Sequence, residues 1–136
     1  MNEQVRAWID KAEGDFETAG RELGVSARPN YDAVCYHCQQ CIEKLLKGAL
    51  IRFGVDPPYV HDIAYLTKLL RAAGIAFKAD ERDLRLLSQS AVVFRYPGEN
   101  ATAEDAMEVV AICERLRQAL LRLIDADNAE GPLCGP

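Results

Sequence analysis

Basic residues are the minority charge: 16 Lys and Arg stand against 21 Asp and Glu, giving a formal net charge of -5 and a pI near 5.0. This excludes the broad cationic surface that non-specific nucleic-acid binding needs, while leaving room for a local basic patch. No apolar run approaches the roughly 20 residues of a membrane span. The opening residues, MNEQVRAWIDKAEGDF, lack the apolar stretch of a signal peptide, so a cytoplasmic protein without membrane contact is expected. Strand-type alternation, internal repeats and low-complexity tracts are absent, which excludes a sheet protein or a solenoid. So are a glycine-rich phosphate loop before a helix, a nucleophile elbow and a carboxylate–histidine metal pair. Histidine occurs only at His37 and His61, so few groups are suited to moving protons near neutral pH.

What is present is helical. The 136 residues suffice for one core. A first helix is expected from about Glu3 to Leu23, its stripe made by Val5, Trp8, Ile9, Ala12, Phe16, Ala19 and Leu23 and its stop by Gly24. The second, from Tyr31 or Asp32 to Phe53, carries Val34, Cys38, Cys41, Ile42, Leu45, Ala49 and Phe53 on its apolar face, and Asp56-Pro57-Pro58 enforces the loop after it. A third spans about Asp62 to Ala73. Asp80 caps a fourth that ends near Phe94, ahead of Pro97-Gly98, with Asp83 at the capping-box distance. Thr102 caps a fifth, with Asp105 in its first turn and an inner face running from Ala106 to Ile124. Short connections between long helices make this an all-α, antiparallel up-and-down bundle of about five helices over residues 1–124, followed by a disordered tail over 125–136.

Three features leave alternatives open. Cys35, Cys38 and Cys41 have the spacing C-x2-C-x2-C, but no second Cys/His pair follows as a zinc site requires, so these thiols read as small apolar core residues and no metal or cofactor is implied. Arg117 projects into the apolar arc of the fifth helix, where it needs a carboxylate partner or a subunit interface, or snorkels from the edge of the core. Finally, Tyr36, Gln40, Glu43, Lys44 and Lys47 fall on one arc of the second helix, opposite its apolar stripe. That arc is either a solvated face with Glu43 and Lys47 paired one turn apart, or a binding or dimer surface with an aromatic for stacking and ammonium groups for phosphates. Gln39, at the edge of the stripe, should be partly buried with its amide hydrogen-bonded.

The run Tyr36-His37-Cys38-Gln39-Gln40-Cys41-Ile42-Glu43-Lys44-Leu45-Leu46-Lys47 resembles the signature of HEPN domains, an aromatic followed by Gln-Gln-x-x-Glu-Lys and a further Lys. Val60-His61-Asp62-Ile63-Ala64-Tyr65-Leu66 resembles the start of that family's third helix, and Arg95-Tyr96-Pro97-Gly98-Glu99 its Arg-Tyr-Pro segment before the last helix. These blocks occur in the family's order, and the likeness spans roughly residues 4 to 124. It implies a helical homodimer that binds a nucleotide or RNA, or docks a minimal nucleotidyltransferase in a toxin–antitoxin-like pair. Tyr36, Gln40, Glu43, Lys44, Lys47, His61 and Arg95 are then the ligand-binding candidates. Many members are metal-independent RNases with an Arg-x4-6-His motif. Here Arg95 is the matching arginine, and Asn100 stands where the His is expected. Asn cannot ionise, so the usual RNase site is broken and a non-catalytic module is the leading reading. Two others remain: an RNase toxin using Arg95, Tyr96 and His61, and a purely structural dimerisation scaffold. His61 is otherwise a loop residue packing near Pro57 and Pro58.

Overall fold

A computed structural model describes residues 2–94 and 96–134, without the side chains of 91–92 and 127–134. Among these residues five helices follow one another: α1 (Glu3–Leu23), α2 (Tyr31–Arg52), α3 (Ile63–Ala72), α4 (Glu81–Val93) and α5 (Ala103–Cys134). No strand occurs among the described residues, and the all-α bundle expected from the sequence is what is found. The tail expected from residue 125 falls largely on side chains outside the described set, and Arg95 lies outside it altogether.

Each start is written in short polar side chains that satisfy the first free amides of the helix. Asn2 accepts from the Val5 amide at 2.8 Å, and Asn30 from that of Ala33 at 3.0 Å. Asp62 accepts from Ala64 and Tyr65, and Asp80 from Arg82. At α5 the box closes both ways: the Asp105 amide donates to Thr102 Oγ1 at 3.1 Å, and the Thr102 amide donates to Asp105 Oδ2 at 2.9 Å. Asp83 does not box α4. It turns into the bundle, where Arg115 of α5 donates to both its oxygens at 3.0 Å.

The position of α2 decides the rest. It packs against α1, α3, α4 and α5, so it is buried almost all round and not along one stripe. Cys35, Leu46 and Leu50, which lie off the expected apolar face, are as fully buried as Ile42 and Leu45. Against α1 the approach is tight: a Cβ on Gly48 would sit 3.3 Å from Trp8 Cβ, so Trp8 would have to give by a few tenths of an ångström. From α5, Ile112, Cys113, Leu116, Leu120 and Ile124 complete the core.

Arg117 meets the first of its alternatives. Its Nε lies 3.1 Å from each Glu13 oxygen and its Nη2 2.8 Å from Oε2, while the guanidinium stacks 4.5 Å from the centre of the Phe16 ring. The hydrogen bonds to Glu13 hold its pKa above the ordinary arginine value.

Cys35, Cys38, Cys41 and Cys113 are free thiols with no solvent exposure. Burial, reinforced by Cys38, pushes Cys35 up to about 12, and contacts with Cys38 and Cys41, then burial, push Cys113 up as well. Thiolate is the reactive form. Native protein treated with a thiol-exchange reagent at pH 8 should therefore show at most one fast thiol per chain, against all five after unfolding in guanidinium. Two or more fast thiols in the folded protein would contradict this core.

Candidate functional site

The polar residues of α2 do not form a solvated face. The arc expected to lie in solvent points partly into the bundle, because the loop before α3 closes over it. Glu43 and Lys47 carry side chains only 3% and 7% exposed, and they form the one-turn pair with Lys47 Nζ 3.2 Å from Glu43 Oε2. The same oxygen accepts from His61 Nδ1 at 2.9 Å. Gln40 Nε2 donates to Gln39 Oε1 at 3.0 Å and approaches Glu43 Oε1 at 3.4 Å, and Gln39 Nε2 donates to the His61 carbonyl at 3.1 Å. Gln39 is thus buried and bonded, as its place at the stripe's edge predicts. Lys47 also lies 5.6 Å from the centre of the Trp8 ring, a cation–π contact.

His61 is held at two points, its backbone by Gln39 and its ring by Glu43, yet its side chain is 80% exposed. A carboxylate can only accept, so Nδ1 donates to it. That leaves Nε2 as the ring nitrogen free to accept a proton or contact a ligand. A buried acid steering an outward imidazole, with a cation behind the acid, is an arrangement suited to orienting a polar ligand or moving a proton.

The other candidates divide. Lys44 donates to Asp15 Oδ2 at 2.5 Å, and His37 Nδ1 lies 2.8 Å from Asp15 Oδ1. Tyr36 packs edge-on against His37, with ring centres 5.3 Å apart, and is itself exposed. Both lysines expected to meet phosphate are therefore already paired with carboxylates. Tyr96 is exposed, and no contact joins it to His61 among the described residues. The Ala101 amide, beyond the Arg-Tyr-Pro segment, donates to Asp32 Oδ1 at 2.7 Å. At 1.5 Å per residue, Asp32 lies about 16 Å along α2 from Glu43. Asp15, His37, Gln39 and Trp8 were not among the site candidates. Asp15 and Trp8 sit on a different helix from their partners, and no spacing rule reaches across helices.

A five-helix bundle whose second helix carries a polar seam, closed by a histidine from the loop before the third, is the class these observations define. The HEPN domain profile matches residues 5–123, and the chain belongs to the HEPN family. Among solved structures it is similar to TT1696 from Thermus thermophilus (TM-score 0.74, 20% identity, covering 90% of this chain and 99% of that one). It is similar also to ST0689, an archaeal HEPN homologue (TM-score 0.67, 23% identity, 90% and 99%). At these identities the likeness speaks for the fold. No curated protein matches significantly. No helix among the described residues is long and apolar enough to cross a membrane.

Proposed function

We propose that this HEPN protein is a homodimeric module that binds single-stranded RNA or a nucleotide through the surface around His61. Its biological setting would be a toxin–antitoxin-like pair with a minimal nucleotidyltransferase. One observation carries the reading: a buried carboxylate, Glu43, aims an exposed imidazole outward. Tyr59 and Tyr65, close to His61 in sequence, and Tyr36 on α2 are exposed aromatics, and base stacking on such rings contributes about 1–3 kcal/mol per base. Since Lys44 and Lys47 are neutralised, phosphate contact falls to His61 and to Arg95 of the Arg-Tyr-Pro segment.

The test is fluorescence anisotropy with a short labelled RNA at fixed salt. His61→Ala should weaken binding about 10-fold, corresponding to about 1.4 kcal/mol. Absence of binding by the wild type, or an unchanged affinity in His61→Ala, would remove the reading. In that case co-purification of a nucleotidyltransferase would identify the surface as a docking face.

The same Glu43–His61 pair leaves a second reading, a metal-independent RNase in which His61 replaces the missing histidine and Arg95 and Tyr96 complete the site where dimerisation brings the Arg-Tyr-Pro segment to it. It requires fragments from the labelled RNA in the presence of a chelator, lost in both His61→Ala and Arg95→Ala. Intact RNA under those conditions leaves binding as the activity.

A further inference from the structure

Helices α3 and α4 are joined by a short connection and splay enough to leave a groove of about 440 Å³ between them, within the range of small-molecule sites. It shares no residue with the Glu43–His61 seam. Its walls are two helical stripes at one-turn spacing: Ala64, Thr67, Lys68 and Arg71 from α3, facing Glu81, Leu84, Arg85 and Ser88 from α4. One end is fixed, because Arg71 donates to Glu81 at 2.6 Å and to the Phe77 carbonyl at 3.1 and 3.2 Å, tying α3 to α4 and to the connection.

Two properties of this groove point to a ligand. The first is a pair of hydroxyls, Thr67 Oγ1 and Ser88 Oγ, which are buried without a hydrogen-bond partner among the described residues. Thr67 as a whole is 2% exposed. A threonine on a helix normally finds a backbone carbonyl one turn back, and a buried hydroxyl left without any partner is costly. Here two such groups line the same groove. The second property is charge. Arg71 neutralises Glu81, which leaves Lys68 and Arg85 on the rim with no ion pair among the described residues. This is a local excess of positive charge on a chain of net charge -5. Leu84 and the aliphatic stems of the cations supply an apolar lining.

The geometry points to a binding site for a small anionic amphiphile, an aryl phosphate or similar monoanionic-to-dianionic molecule with an apolar body. The body lies between the helices over Leu84. The anionic group sits between Lys68 and Arg85. Both hydroxyls are closed off from solvent, so a polar atom on the ligand takes the hydrogen bonds that Thr67 and Ser88 lack once their side chains turn toward the groove.

Phenyl phosphate is the probe, followed by 1H–15N NMR titration, with inorganic phosphate and phenol run separately. Saturable shifts should appear at the amides of 64–71 and 84–88. Inorganic phosphate and phenol should each bind at least ~10-fold more weakly than phenyl phosphate, since each offers only half of the recognised chemistry. The double variant Lys68→Glu/Arg85→Glu, at two exposed positions, should lose ~10-fold or more in affinity. Thr67→Val gives a signature no purely structural threonine would give: a higher melting temperature, because an orphan hydroxyl is gone, together with weaker phenyl phosphate binding. Absence of saturable shifts at these amides overturns the site. So does equal affinity for inorganic phosphate, or full affinity in the double variant. Should the double variant fail to fold, Thr67→Val decides alone, and unchanged binding there overturns the proposal.

Discussion

Glu43→Gln should lower the free energy of unfolding by about 3–5 kcal/mol, the range for removing one partner of a buried ion pair. Total stabilities of small domains are about 5–15 kcal/mol, so this would be a large fraction of the fold's margin. The reason is not the strength of the pair itself. Among the described residues, Glu43 Oε2 is the one carboxylate oxygen paired with Lys47 Nζ, and with the side chain 7% exposed the ammonium has little water to turn to. What remains is a neutral amide oxygen and the Trp8 ring, whose attraction for a cation is about 0.5–2 kcal/mol, together too little to offset desolvation of the uncompensated charge. His61 exchanges a charged carboxylate anchor for at most a neutral amide oxygen in the same step. The complementary double variant Glu43→Leu/Lys47→Met removes both charges and should recover most of the loss. Urea unfolding of the three proteins measures this. A loss below about 1 kcal/mol in Glu43→Gln would mean that the pair behaves as a surface salt bridge and that the seam is open to water.

Leu50→Ala is the second large effect, with an expected cost of about 2–5 kcal/mol. Leu50 lies seven residues beyond Glu43, two turns along the same side of α2, and is fully buried. Were that side a solvated face, truncating a leucine on it would change stability by no more than about 0.5 kcal/mol. The substitution therefore separates a helix buried all round from one with a single apolar stripe. An equilibrium unfolding curve with an unshifted midpoint would place α2 at the surface of the bundle.

That distinction marks where the sequence stopped being readable. Helix number, starts and stops follow local rules, and Asn2, Asn30, Asp62 and Thr102 do what such rules demand. The Glu43–Lys47 pair was also local, one turn apart. Whether it faces water was not, because that depends on the loop through His61 folding back over α2. A clue existed: Leu46 and Leu50 share the arc with Glu43 and Lys47, and two leucines on a supposedly solvated face signal burial. Arg117 shows the same divide. Its need for a carboxylate could be read from its position, but Glu13 as the partner, 104 residues away, could not. Asp83 was placed by a local rule at a capping box, and a distant arginine took it instead. The groove between α3 and α4 had no local signature at all, since Thr67 and Ser88 look like ordinary helical residues until the helices are set side by side.

The single tryptophan has a practical meaning beyond packing. Trp8 stands against the Lys47 ammonium and beside the glycine where α1 and α2 meet. An indole's emission responds to a nearby charge and to its polar surroundings. The molecule thus carries an intrinsic optical reporter at the base of the Glu43–His61 seam, and excitation at the red edge, where the five tyrosines do not absorb, isolates this one indole. Whatever docks on His61 can be followed from beneath, without attaching a dye to the surface under study.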